Sequence, residues 1–164
     1  MAWAKNGTAN TLGSAGDDID ITDLTAKKFN VFLAHTFRTS GSTNDITNEF
    51  TLDNNSNTDY SRRRSADGSA DSTLTSYTSL IGSQSNEIFE VVYSVNIDSE
   101  EKLFYINGVT FITAGAGTAP SRTETATKCD TTTNTGQFTR VDLRNSNANS
   151  DYDIGSNLTI LGTD

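Results

Sequence analysis

One histidine, one cysteine, 21 acidic residues and a run of three arginines are the side chains of this 164-residue chain that could do chemistry. Nucleophilic catalysis needs a base held against a hydroxyl or thiol, and a zinc site needs several clustered ligands. His35 stands alone inside the alternating stretch KKFNVFLAHTF, and Cys129 lies far away in sequence. His35 therefore reads as a structural, buried or half-buried residue, and Cys129 as a small strand residue rather than a nucleophile. Glycoside hydrolysis requires two carboxylates across a cleft, and no pair is singled out by spacing. No catalytic residue is assigned, and the expectation is a protein that is not an enzyme.

Two acidic clusters could supply the oxygen ligands that calcium collects. GDDIDITD offers Asp17, Asp18, Asp20 and Asp23; DYDIGSN offers Asp151, Asp153 and Asn157 around Gly155. Neither has the helix-loop-helix spacing, and aspartates that mimic backbone in surface turns account for both at lower cost. No metal or other cofactor is expected, with bound calcium the lesser alternative.

The arginines form the third candidate. TDYSRRRSADGSADS places Arg62, Arg63 and Arg64 together in a chain with only twelve basic residues and a net charge of -9. A nucleic-acid patch is disfavoured by the nearby Asp59, Asp67 and Asp71 and by the lack of other basic clusters. Weak surface pairing with those aspartates is one reading. The other is an interface with a neighbouring chain, since arginine is enriched and lysine depleted at such contacts. In an extended chain Arg62 and Arg64 point one way and Arg63 the other, so the run can serve two surfaces. Arg62, Arg63 and Arg64 are assigned to a subunit interface.

The elements that must hold these residues read as strands. Period-two alternation runs through DDIDITDL, KKFNVFLAHTF and NEIFEVVYSVNID, with EKLFYINGVTFITAG, SRTETATKC, GQFTRVDLRN and SNLTILGT as further candidates. The Asn107-Gly108 pair predicts a hairpin turn. DITNEFTL, from Asp45 to Leu52, is the nearest thing to a helix and is rejected on length and threonine content. The expectation is an all-β, antiparallel β-sandwich of jelly-roll type, one domain over 1–164, with roughly eight strands at sandwich spacing. Long polar loops are placed near 53–76 and 114–136. The inner faces are assigned Phe29, Val31, Leu33, Phe89, Val91, Tyr93, Val95, Phe104, Ile106, Leu158 and Ile160. Leu158 and Ile160 make the C-terminal segment an integral strand.

Bulk properties narrow the partners. A sequence pI of 4.4 argues against nucleic acid, and a mean hydropathy of -0.48 with 34% hydrophobic residues indicates a thin core under much polar surface. A single cysteine allows no intrachain disulfide. The opening MAWAKNGTAN has no apolar run of signal-peptide length, and no segment reaches the roughly 20 residues of a membrane span. Synthesis in a cytoplasm, with no membrane partner, is expected.

The opening MAWAKNGTANTLGSAGDDIDITDLTAKKFNVFLAH, the central NTDYSRRRSADGSADSTLTS, the strand FTRVDLRN and the closing YDIGSNLTILGTD together resemble small virion structural proteins of tailed phages and related environmental viruses. The resemblance implies a β-sandwich displayed on the virion as capsid decoration, fibre or tail component. No catalytic residue comes with it. Its implied partners are copies of itself and other capsid or tail proteins. The alternative is a carbohydrate-binding sandwich on a fibre or tail, using Trp3, Tyr60, Tyr77 and Tyr152 as platforms for glycans.

Overall fold

In the computed structural model the described residues are 2–111, 115, 117–130 and 135–164, with backbone alone at Phe111. They form thirteen strands: β1 (Ala4–Lys5), β2 (Asn10–Thr11), β3 (Asp18–Ile21), β4 (Phe29–Phe37), β5 (Ile46–Leu52), β6 (Tyr60–Ala66), β7 (Ser72–Tyr77), β8 (Leu80–Ser85), β9 (Glu87–Val95), β10 (Lys102–Phe111), β11 (Ser121–Cys129), β12 (Val141–Asn145) and β13 (Asn157–Thr163). No helix occurs among the described residues.

The larger, nine-stranded sheet runs β1-β13-β4-β9-β10-β11-β6-β7, with β2 also on β13; the four-stranded sheet runs β3-β12-β5-β8. All the pairings are antiparallel. Without β6, β7, β10 and β11, the remaining order is β1/β2-β13-β4-β9 over β3-β12-β5-β8. That is the strand order of a jelly roll, with successive strands crossing between sheets except at β5 to β8. The two extra hairpins extend one sheet past the edge of the other.

The core between the sheets is aromatic at its centre. Phe32 from β4 lies 6.1 Å from Phe50 and 5.9 Å, edge-on, from Phe138, measured between ring centroids. Ile19, Ile21, Ile88, Val92, Ile106, Leu143, Leu158 and Ile160 complete it. Ile19 and Ile21 point inward from β3 while Asp18 and Asp20 point away, as alternation predicts. The terminal strand β13 pairs with β1, β2 and β4, so Leu158 and Ile160 are tied into the sheet.

Four sequence expectations need correction. Phe29, Val31, Leu33, Phe89, Val91, Tyr93 and Val95 lie on the outside of the larger sheet; of the assigned inner residues only Phe104, Ile106, Leu158 and Ile160 face the core. The inner positions of β4 and β9 are instead Asn30, Phe32, Ala34 and Thr36, and Ile88, Glu90, Val92 and Ser94. The polar members are buried because each finds a partner: Asn30 donates to the Lys27 carbonyl at 3.1 Å, and Thr36 donates to Asn48 at 3.1 Å.

Asn107-Gly108 is not a turn. Both residues lie within β10 and pair with β9 and β11. Gly108 is needed for close approach, because a Cβ there would sit 2.0 Å from Ser83 Oγ and 2.6 Å from Thr123 Oγ1. The hairpin signal that forms is Asp67-Gly68, with φ of 50° and 75° and Ser69 N–H donating to the Ala66 carbonyl at 2.8 Å.

The stretches expected as polar loops hold β6, β7 and β11; residues 114, 116 and 131–134 of the second stretch, and 112–114 at the end of the candidate EKLFYINGVTFITAG, lie outside the described residues. Thirteen strands replace the expected eight or so because β1, β2, β5, β6, β7 and β8 also form, while the run read as two strands about Asn107-Gly108 is the single strand β10. The rejected helix DITNEFTL is β5 from Ile46 to Leu52.

Candidate assembly surface

Cross-strand register turns the alternation of each strand into rows across the larger sheet. One outward row runs Lys5, Leu161, Val31, Tyr93, Tyr105, Ala126, Arg63, Thr73. A neighbouring row carries Phe29, Val95, Leu103, Lys128 and Ser61. The centre of this face is apolar and aromatic, and its margins carry Lys5, Arg63 and Lys128. Tyr93 is 51% exposed, Leu103 50% and Phe89 46%, whereas Phe32 and Val92 on the reverse side are 0% exposed. Exposed apolar area this contiguous, rimmed by polar residues, is the mark of an interaction surface.

A groove of about 320 Å³ crosses the face between Trp3, Phe29, Tyr93, Leu103 and Tyr105. At the other end His35 Nε2 lies 2.8 Å from Glu87 Oε1, and the imidazole packs 4.3 Å from the Phe37 ring. His35 is half-buried there. Cys129 is buried on the opposite side of the sheet, opposite Tyr60 in register.

The arginines alternate as an extended segment must. Arg63 faces outward and pairs with Asp71 at 3.2 Å. Arg62 and Arg64 face inward, opposite Thr127 and Thr125 of β11. The run is thus divided between the two sides of the sheet.

The proposed sugar platforms separate. Tyr60 and Tyr152 are buried, so neither can stack on a glycan; their rings fill the core and their hydroxyls meet Leu52 N–H and Asn48 Oδ1. Burial pushes both phenols well above their ordinary range. Tyr77 is half-buried against the core, and Trp3 is exposed at the groove. Of the aromatic residues that do present faces, Tyr105 was not read as core from the sequence, while Tyr93, Phe29 and Phe89 were. The signal for them was present as strong alternation, and only its direction was misjudged.

The acidic clusters also disperse. Asp23 accepts from the Thr8 hydroxyl at 2.7 Å, and this bonding with the Thr8 N–H holds it below the usual carboxylate range. Asp20 pairs with Arg140, and Asp153 accepts from the Ile154 N–H at 2.8 Å. Asp17 and Asp151 come together; partial burial, then the Asp151 carboxyl, pushes Asp17 up. Among the described residues no group of three or more His, Cys, Asp or Glu is arranged to hold a metal ion.

Fold and site define an antiparallel sandwich of jelly-roll order with an apolar outer sheet face. Comparison with family models, with curated proteins and with solved structures finds no match for the chain.

Proposed function

We propose that the protein is a non-enzymatic structural subunit of a virion, used as capsid decoration or as a tail or fibre component. It acts by self-association and by docking on other virion proteins. The observation that carries this reading is the outward face of the larger sheet, apolar at its centre and charged at its margins. A subunit with net charge -9 repels its copies at long range, and a neutral apolar patch is where that repulsion is weakest. Arg63, in the same row as Tyr93 and Tyr105, supplies rim charge that fixes orientation. The likeness of the sequence to phage virion proteins and the jelly-roll strand order both agree with the reading, the latter by analogy of fold. Its place of work is the virion, after synthesis in the host cytoplasm.

Sedimentation velocity of the protein at micromolar concentration tests self-association. The expected result is an oligomer that becomes monomeric in the double variant Tyr93→Asp/Leu103→Asp. A wild-type protein that stays monomeric up to hundreds of micromolar removes this face as a self-association surface.

A carbohydrate-binding role is the second reading, and one observation favours it: the groove brings Trp3, Tyr93 and Tyr105 together with their rings about half exposed. Aromatic faces of this kind stack on sugar rings. Glycan-array binding that is lost on Trp3→Ala and Tyr105→Ala, with no oligomer in sedimentation, would favour it over assembly.

A further inference from the structure

On the reverse side of the sheet, where β11 and β6 overhang the smaller sheet, two cross-strand pairs stand side by side: Arg62 opposite Thr127 and Arg64 opposite Thr125. Nε and Nη1 of Arg62, Nε of Arg64, and the Oγ1 atoms of both threonines are buried and have no hydrogen-bond partner. Neither arginine forms an ion pair among the described residues. Buried polar groups are nearly always satisfied, and an orphaned charged donor is among the costliest groups to bury. Covering the overhang with aliphatic stems explains the arginine side chains but not the buried guanidinium nitrogens left without partners.

The nearby acids spend their hydrogen bonds on other donors, and Glu49 and Glu90 act on Arg62 and Arg64 only through charge, without an ion pair among the described residues. Asp71 pairs with Arg63, Asp67 accepts from the Arg122 N–H at 2.8 Å, and Asp59 accepts from Asn55 at 3.0 Å. Glu49 accepts from Ser79 at 3.0 Å, and Glu90 from Asn48 at 2.9 Å. Burial, then the charge of Arg64, pulls Arg62 below the ordinary guanidinium range, so the two heads are close enough to repel. Both residues are half-buried overall although these nitrogens are buried, so part of each side chain stays accessible at the open side of the sandwich. There β7 edges the larger sheet and β8, which lies against β11 and β6, edges the smaller.

We propose that Arg62 and Arg64, with the hydroxyls of Thr125 and Thr127, form a binding site for a small tetrahedral oxyanion of the phosphate or sulfate type. Two planar guanidinium forks match the paired oxygens of such an anion, and two threonine hydroxyls add donors from the neighbouring strand. The anion relieves the repulsion between the two cations and completes the buried donors at once. It also ties β6 to β11 on the side away from the apolar face, so this site does not depend on the assembly reading.

The test is the thermal midpoint of the full chain in phosphate, sulfate and chloride at equal ionic strength, at 10 mM anion or about that level. Phosphate and sulfate should raise it by about 3 °C or more over chloride, the shift expected of a ligand well above its dissociation constant. Arg62→Gln/Arg64→Gln should abolish the difference, and Thr125→Val/Thr127→Val should reduce it. The single variant Arg64→Gln serves if the double one misfolds, with far-UV circular dichroism as the check on folding. Equal midpoints in all three salts would overturn the proposal, as would a phosphate effect that persists in Arg64→Gln. A loss of oligomer in the arginine variants with no anion effect in the wild type would also overturn it, assigning the guanidinium heads to carboxylates of a neighbouring copy.

Discussion

Across the larger sheet, the row Ile160, Phe32, Val92, Ile106, Thr125, Arg64 faces the smaller sheet. The row Leu161, Val31, Tyr93, Tyr105, Ala126, Arg63, one residue along, faces away. The inward side is the more polar of the two over β4 and β9: Asn30, Thr36, Glu90 and Ser94 are all buried there. Glu90 shows how. The ladder between β5 and β8 slips between Thr47 and Glu49, and the carboxylate of Glu90 reaches across from β9 into that irregularity. It accepts the Ser83 N–H and the Asn48 side chain, with room made by Gly82 and Gly108. Polar residues are tolerated inside where partners are fixed, by the opposite sheet for Thr36 and Glu90 and by the Lys27 carbonyl and Asn6 for Asn30. The apolar residues outside have no such compensation within one chain, and in the assembly proposed above a neighbouring copy would cover them.

The strongest way to break this comparison is to remove one large side chain from each face. Phe32→Ala leaves a cavity between the sheets and should cost about 4 kcal/mol of stability in urea unfolding, without changing the oligomeric state of what remains folded. A loss below about 1 kcal/mol, as for an ordinary surface substitution, would mean that the sheets do not pack on Phe32.

Tyr93→Asp/Leu103→Asp should do the reverse. Both side chains are half exposed, so monomer stability should move by less than about 1 kcal/mol. Association should weaken at least 100-fold, or about 2.7 kcal/mol. Sedimentation read beside unfolding separates the two effects, and equal losses in both variants would erase the distinction between the faces.

The third test uses pH. Burial drives the Glu90 carboxyl above its ordinary range, against the bonds from Asn48 and Ser83 and the charge of Arg64. With the folded-state value raised, the native state holds the proton more tightly than the unfolded chain. Its contribution to stability is then fully present below the unfolded value of about 4.3 and is lost as pH rises through the folded value. Glu90→Gln keeps the shape and cannot ionise; an amide turn at Asn48 restores the bonding, since Thr36 and Tyr152 hydroxyls can each accept. The stability difference, wild type minus Glu90→Gln, should therefore fall as pH rises above about 4.3. A difference that stays flat or rises with pH contradicts the assignment.

The fold was largely legible in the sequence and its inside-out sense was not. Alternation in KKFNVFLAHTF and NEIFEVVYSVNID located β4 and β9, and Leu158 and Ile160 marked β13 as integral. Period two says that a strand has two unlike faces, and it does not say which face meets the other sheet. Phe89, Val91 and Tyr93 outweigh Ile88, Glu90 and Val92 in apolar content, so hydrophobicity pointed to the wrong side. Asn48, which helps hold Glu90 inside, lies 42 residues away in the chain and could not be foreseen. The arginine run fared better, since Arg62, Arg63 and Arg64 lie on a strand and alternate as an extended chain requires. The unpaired donors of Arg62 and Arg64, and the open hydroxyls of Thr125 and Thr127 beside them, appear only once β11 is laid beside β6.

Within that run the comparison of faces is repeated at the scale of three residues, and Arg63 gives the smallest expected effect. Its guanidinium is exposed and meets Asp71 at 3.2 Å across the β6–β7 hairpin, with both side chains largely in solvent. Such pairs contribute about 0–1 kcal/mol and are weakened by salt. Arg63→Ser should thus shift urea unfolding by no more than about 0.5 kcal/mol. The phosphate effect assigned to Arg62 and Arg64 should be untouched, because Arg63 lies on the opposite side of the strand. If Arg63 fixes orientation at the rim of the assembly face, the variant should slow association and flatten its salt dependence while leaving dissociation nearly unchanged. A stability loss like that of an inner arginine would place Arg63 inside the sandwich and break the alternation on which both assignments rest.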